Sequence, residues 1–247
     1  MKKGLIDKVY VLSVKSFSDR ILHIQKEMEK HHIDFEFNFN YDIPEIESSI
    51  YEDFDQYLLS KAKISLILKH IDTWQDAVKK GYKKILVLED DVILAKNFSN
   101  KFQNVLLNSN DIPSKNLIFL GGATHRLPKG LLTSKKLLVE FPLPTTEAYI
   151  TDISACQSRL DWLKESKLKG YKINLPADHL VNYIDNRCGI KDYWVRTAIV
   201  EQGSMTGTFR SLLDSNRIKH SNLYNISRYN WLLFCRKVRR GFFDLMY

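Results

Sequence analysis

At 247 residues the chain is long enough to bury a substantial core as one large domain, or as one domain with an appendage. Its three cysteines, Cys156, Cys188 and Cys235, are odd in number, far apart and outside metal-ligand spacing; a chain of this length needs no disulfide scaffold, and the simplest reading is a reducing compartment, the cytoplasm. The net charge of +8 has one main source: Arg217 to Arg240 holds seven Lys or Arg and no Asp or Glu, so the rest of the chain carries 30 basic residues against 29 acidic ones.

The opening "MKKGLIDKVYVLSVKS" sets two lysines before an apolar run. Asp7 and Lys8 interrupt it, and Val9 to Val14 is too short for an export signal. No stretch approaches the roughly 20 apolar residues of a spanning helix, so the expectation is a soluble or peripheral protein.

"KVYVLSV" has the pattern of a buried strand, and the segment from about Asp19 to His31 places Ile21, Ile24 and Met28 on one helical face. "IDFEFNFNYD" follows, with Ile33, Phe35, Phe37 and Phe39 at strand period, completing β-α-β. From Ser60 to Gly81, Ile67, Ile71, Trp74 and Val78 form a helical stripe, with Ser60 as cap and Gly81 as stop. "KKILVL" is the next strand. Helix into apolar strand, repeated, predicts a parallel sheet covered on both faces. Beyond Asn97 the pattern predicts a helix near Phe98 to Leu107, a central strand "NLIFLGG", hairpin and loop over 124–146, and a strand joined to a helix in "EAYITDISACQSRLDWLKES". "PADHLVNYI" reads as a short helix with Pro176 in its first turn. The division is a body over 1–216 and a basic extension over 217–247.

Glu89, Asp90 and Asp91 break the apolar run "KKILVLEDDVIL" at the carboxyl end of a core strand, where open α/β sheets bind ligands. Adjacent carboxylates repel and are costly to bury without a compensating cation. A hard divalent ion, magnesium or manganese, supplies that charge and completes its shell with phosphate oxygens, which points to a nucleotide diphosphate. A solvated acidic turn capping the next helix accounts for the same spacing.

The segment "AKISLILKHIDTWQDAVKKGYKKILVLEDDVIL" resembles glycosyltransferase family 25, the bacterial lipooligosaccharide galactosyltransferases and their collagen-modifying relatives. His70, Trp74, Ala77, Gly81, Glu89, Asp90 and Asp91 fall in the register of the family's string. "VYVLSVKSFSDRILHI", with Arg20 and His23, "FEFNFNYD", "TEAYITD", "PADHLV" and "IVEQGSMTGTFRSLL" echo its other blocks over residues 8–213. Lys63, Leu66 and Lys69 depart from the family's acidic residue, Cys and Ser.

The resemblance implies an α/β fold of the GT-A type: a Rossmann-like, mainly parallel sheet with helices on both faces, here with a basic helical extension. It implies an inverting transfer of a hexose, most often galactose, from a UDP-sugar to a sugar acceptor in lipooligosaccharide, lipopolysaccharide or a related surface glycan. Asp91, with Glu89 and Asp90, would hold a Mn2+ or Mg2+ ion on the diphosphate. Ser13, Arg20, Tyr41 and Asp42 are the uridine-side candidates, although capping by Ser16 or Ser18 and a solvated Arg20 explain the first loop equally. Asp178 is the candidate base, at the start of its helix, with Glu147 in reserve; His179 and His220 are candidates to complete the metal shell. His70 and Trp74 stand as markers of the fold rather than of catalysis.

"SRYNWLLFCRKVRRGFFDLMY" mixes Trp231, Phe234, Phe242 and Phe243 with Arg228, Arg236, Lys237, Arg239 and Arg240. Such a segment suits an anionic membrane surface, rings at the interface and cations on headgroups. That predicts a cytoplasmic protein, peripheral on the inner face of the membrane, with a lipid-linked acceptor; a tail helix docked on its own domain is the other reading. Three rival functions remain. A nucleic-acid binder would use the basic tail, but the body is near neutral and the expectation is no nucleic acid. A metal-dependent phosphohydrolase would release phosphate without an acceptor, and a degenerate relative would bind a nucleotide sugar without transferring it.

Overall fold

The computed structural model describes residues 5–121, 131, 134–142, 144–206 and 208–209, and in the tail 221, 223–224, 226–228, 230–231, 234–235 and 238. Nine strands follow in chain order: β1 (Lys8–Leu12), β2 (Glu36–Asn38), β3 (Lys84–Glu89), β4 (Val92–Leu94), β5 (Asn116–Phe119), β6 (Leu138–Glu140), β7 (Ala148–Asp152), β8 (Lys191–Val195) and β9 (Val200–Gln202). Seven of them form one sheet in the order β2-β1-β3-β7-β5-β8-β6, while β4 and β9 pair as a separate antiparallel ribbon.

The sheet is mixed rather than wholly parallel. β2, β1, β3, β5 and β8 run one way; β7 and β6 run against them. β7 opposes β3 because its chain enters at the carboxyl end of β3, where the Glu89 N–H donates to the Glu147 carbonyl at 2.9 Å. That entry point matters for the site, since it sets Glu147 beside the acidic triplet. The stretch expected as hairpin and loop contributes β6, an edge strand on β8.

Helices cover both faces. α1 (Ser18–Lys30) and α3 (Phe98–Asn108) lie on one; Ile24, Met28, Phe98, Phe102 and Val105 pack there against Val9, Val11, Leu86, Leu88, Ile118 and Ile150. The alternate residues of the same strands, Tyr10, Leu12, Ile85, Val87, Leu117 and Tyr149, face a second core under α2 (Lys61–Lys80), α4 (Ile153–Leu168) and α5 (Ala177–Cys188). This is the period-two alternation of a sheet buried on both sides.

α2 follows its sequence signals closely. Ser60 Oγ accepts from the Lys63 N–H at 3.4 Å, and the helix stops at Gly81, whose φ of 70° suits a residue without a β-carbon. α1 differs from expectation at its start: Phe17 occupies the cap position and no side chain caps the helix, so neither Ser16 nor Ser18 does so.

A connected group of charged and polar side chains lies inside the second core. Arg159 donates from Nε and Nη2 to the two Asp185 carboxylate oxygens, each at 2.6 Å, and from Nη1 to Thr151 Oγ1 at 3.0 Å. Its guanidinium carbon stands 5.1 Å from the Trp74 ring centroid. Burial, and then the neighbouring Asp185 carboxylate, push the Asp192 carboxyl well above the usual carboxylate range, and Asn182 Nδ2 donates to its Oδ2 at 3.2 Å. Trp74 Nε1 donates to the Tyr149 hydroxyl at 3.0 Å, and His70 Nδ1 lies 2.9 Å from the same oxygen. Complete burial pulls His70 down to about 3, so it is a neutral core histidine.

Candidate active site

β3 ends where its apolar side chains end, and Glu89, Asp90 and Asp91 emerge at the carboxyl edge of the sheet. The three acids have different surroundings. Asp90 is 4% exposed and occupied: Arg20 Nη1 donates to Oδ1 and Ser13 Oγ donates to Oδ2, both at 2.8 Å. Burial pushes its pKa up, against the opposing pull of Arg20. Arg20 is held between two rings, its guanidinium carbon 5.4 Å from the Phe17 centroid and 5.5 Å from that of Phe209.

Asp91 is 2% exposed and only partly occupied. Its Oδ2 accepts from the Ser204 N–H at 3.0 Å and its carbonyl from the Gly203 N–H at 2.6 Å. Among the described residues, Oδ1 is buried without a hydrogen-bond partner. Gly203, which opens the four-residue helix α6 (Gly203–Thr206), has to be small here, because a β-carbon would stand 2.5 Å from the Asp91 carbonyl oxygen.

Glu89 accepts from Thr146 Oγ1 at 3.0 Å. Burial first, then the carboxylates of Asp91 and Glu147, push its pKa well above the usual carboxylate range. Glu147 is 5% exposed and reaches this position because Gly121 at the end of β5 leaves room: a β-carbon on Gly121 would fall 2.0 Å from Glu147 Oε1. Acids crowded to this degree favour a cation or a proton.

These groups open onto a cavity of about 670 Å³, a volume that suits a small-molecule ligand. The β1–α1 loop from Ser13 to Phe17 and Arg20 form one wall; Ile43, Pro44 and the α2 face with Lys63, Leu66 and Lys69 form another. Thr145 to Glu147, the start of α5 from Pro176 to His179, and Gln202 with Ser204 complete it. Ser13, Arg20, Glu89, Asp90, Asp91, Glu147 and Asp178 therefore meet in one place. Asp178 is half-buried in the first turn of α5, and its Oδ1 accepts from the His179 N–H at 2.9 Å.

Tyr41 and Asp42 stand behind this wall rather than in it. Asp42 is 5% exposed, its Oδ1 taking a bond from Lys69 Nζ at 2.7 Å and its Oδ2 one from the Lys15 N–H at 2.9 Å. Lys69, an exposed-looking residue in the sequence, is 2% exposed, and burial draws its pKa down. His220 lies outside the described residues. Sequence reasoning missed Thr146, Gly121 and the Gly203–Ser204 pair, and marked Lys69 only as a departure from the family's string; the two glycines carried a local signal, as interruptions of apolar or helical runs.

No group of three or more His, Cys, Asp or Glu among the described residues is arranged to hold a metal ion by protein ligands alone. The donor set is Asp91 Oδ1 with Glu89 beside it. That set fits a magnesium or manganese ion that takes one or two carboxylates and completes its shell with phosphate oxygens and water.

No curated protein matches the chain. A solved structure described as a glycosyltransferase involved in the glycosylation of the major capsid of PBCV-1 is similar at 11% identity with a TM-score of 0.43, over 91% of this chain and 99% of that one. So distant a likeness carries no argument about the site. The family model described as glycosyltransferase family 25 (LPS biosynthesis protein) matches residues 6–183, a span that holds β1, α2, the acidic triplet, Glu147 and Asp178. With well over half of its length matched, the chain belongs to glycosyltransferase family 25.

Proposed function

We propose that the protein transfers a hexose, galactose before others, from a UDP-sugar to a saccharide acceptor of lipooligosaccharide, lipopolysaccharide or a related surface glycan, with inversion at the anomeric carbon. The observation that carries this reading is Asp91, whose Oδ1 is buried and without a partner at the edge of a ligand-sized cavity. An unpartnered buried carboxylate oxygen is costly unless a ligand satisfies it.

A divalent ion bound through Asp91 and Glu89 would neutralise charge on the departing diphosphate. The chain's own groups do the rest. Arg20 and Ser13 hold Asp90 fixed, which keeps the triplet's backbone in register with the β1–α1 loop. That loop precedes α1, whose N-terminal N–H groups and dipole favour a phosphate nearby. The acceptor hydroxyl oxygen bonds to the anomeric carbon as the bond from that carbon to the β-phosphate oxygen breaks; UDP leaves with the electron pair and the hydroxyl proton passes to Asp178. Glu147 is the alternative base. General base assistance of this kind contributes about 10²- to 10⁴-fold.

The basic tail brings this body to its acceptor by resting on an anionic membrane surface. No helix among the described residues is long and apolar enough to cross a membrane. Trp231 is 64% and Phe234 58% exposed, their ring centroids 5.9 Å apart, and Arg228, earlier in the tail, is exposed. Truncation before Tyr229 should release the protein from anionic vesicles and spare transfer to a soluble acceptor; retention on vesicles would reject the tail as anchor.

Thermal unfolding with UDP, UDP-galactose, UDP-glucose and UDP-N-acetyl sugars, each with manganese and then with EDTA, tests the donor. A metal-dependent rise in Tm with one sugar preferred supports the reading and names the sugar. No rise with any of them would reject it.

A further inference from the structure

The transfer step makes no use of a second buried ion pair, on the α2 wall of the cavity. Lys69 Nζ donates to the Asn40 carbonyl and to Asp42 Oδ1, each at 2.7 Å. Asp42 passes the connection on by accepting the Lys15 N–H at 2.9 Å. Four residues before Lys69 on α2, Ser65 Oγ donates to the Tyr41 carbonyl at 2.6 Å. Tyr41 itself has a φ of 62°, a left-handed conformation that a residue with a β-carbon adopts only where its surroundings impose it.

Three segments are therefore tied through one pair of charges: the β1–α1 loop at Lys15, the exit of β2 at Asn40 to Asp42, and α2. Ser13, Val14 and Ser16 flank Lys15 and line the cavity, and Ile43 and Pro44 follow Asp42 and line it too. Helix packing alone does not explain the pair, because an apolar side chain at this depth holds a helix as well as a buried ion pair or better. The pair does set where two loops stand relative to each other.

We propose that Lys69 is a positioning residue for donor binding: through Asp42 and Asn40 it fixes the two loops that form the nucleoside end of the cavity. This rests on the transferase reading above. Its consequence is selective, because affinity for the nucleotide depends on Lys69 whereas turnover of bound donor, which uses Asp178, does not.

The test compares the full chain with Lys69→Met combined with Asp42→Asn, by calorimetric titration with UDP and manganese and by transfer rates at saturating donor. Removing both charges together avoids leaving one of them buried alone, so Tm should stay close to that of the unchanged chain. UDP affinity should fall roughly tenfold or more, as loss of preorganisation requires, with kcat within about twofold. Ser65→Ala reads the same clamp with the charges still paired, and should weaken UDP binding several-fold if the double variant does not fold. UDP bound by both variants as tightly as by the unchanged chain would overturn the role of Lys69 and leave the transferase reading standing. An unchanged chain that binds no UDP would reject that reading, and this role with it.

Discussion

Arg159 and Asp91 are buried to nearly the same depth, one in the core beneath α4 and α5 and the other at the carboxyl edge of β3, and their charges are satisfied in opposite ways. Arg159 closes on Asp185 with two bonds of 2.6 Å and a third to Thr151. Asp91 has one oxygen bonded to Ser204 and another, at the cavity, with no partner among the described residues. Depth of burial does not distinguish a site from a structural device; the difference lies in whether the chain supplies the counter-charge. Asp90 makes the point within the triplet itself, since Arg20 and Ser13 already answer it while its neighbour one residue on keeps an oxygen without a partner among the described residues.

That contrast predicts substitutions that separate function from stability. Asp178→Asn should lower transfer by about 10²- to 10⁴-fold with the urea midpoint unchanged. Full transfer in that variant, together with loss in Glu147→Gln, would move the base to Glu147. Arg159→Ala should do the reverse, destabilising the fold by about 3–5 kcal/mol because Asp185 is left buried and alone. Urea unfolding measures that loss, and nucleotide affinity in whatever remains folded should be normal.

Proton linkage sharpens the same division. His70 titrates near 3 in the fold against 6.5 in the unfolded chain, so between those values only the unfolded chain takes the proton. Stability therefore falls with pH across that window, by about 1.4 kcal/mol per unit, and the loss is complete below pH 3. The raised carboxylates Glu89, Asp90 and Asp192 act with the opposite sign, each adding stability below its raised pKa. Comparing unfolding free energies of the unchanged chain and His70→Asn across pH 4 to 6 isolates the histidine, whose slope should vanish in the variant. The smallest effect belongs to Ser60→Ala, about 1 kcal/mol from loss of the α2 cap, with no change at the site.

Features encoded by neighbours in sequence were legible before the structure. The stripe of α2, its Ser60 cap and Gly81 stop, β1–α1–β2, and the acids at the end of β3 all follow from local pattern. What depends on distant pairing was not legible. Asp185 lies 26 residues from Arg159 and Asp90 lies 70 from Arg20, and a periodicity cannot say which charge finds which. Lys69 and Arg159 are charged residues on helices, yet each is buried against an acid contributed by another segment. The reversal at β7 escaped for a similar reason: its apolar run fits a parallel or an antiparallel neighbour equally well, and only the entry beside Glu89 decides.

The central claim is that Asp91 Oδ1 waits for a ligand of the donor site. Thermal unfolding of the unchanged chain and of Asp91→Asn, each alone and then with UDP and manganese at about 100 times the dissociation constant of the unchanged chain, tests it most directly. Ligand at that level stabilises by about 2.7 kcal/mol, or roughly 5 to 10 °C for a chain of this length. The account predicts that rise in the unchanged chain and its abolition by EDTA. In Asp91→Asn it predicts no rise, with the unliganded Tm held. An equal rise in both proteins would contradict it.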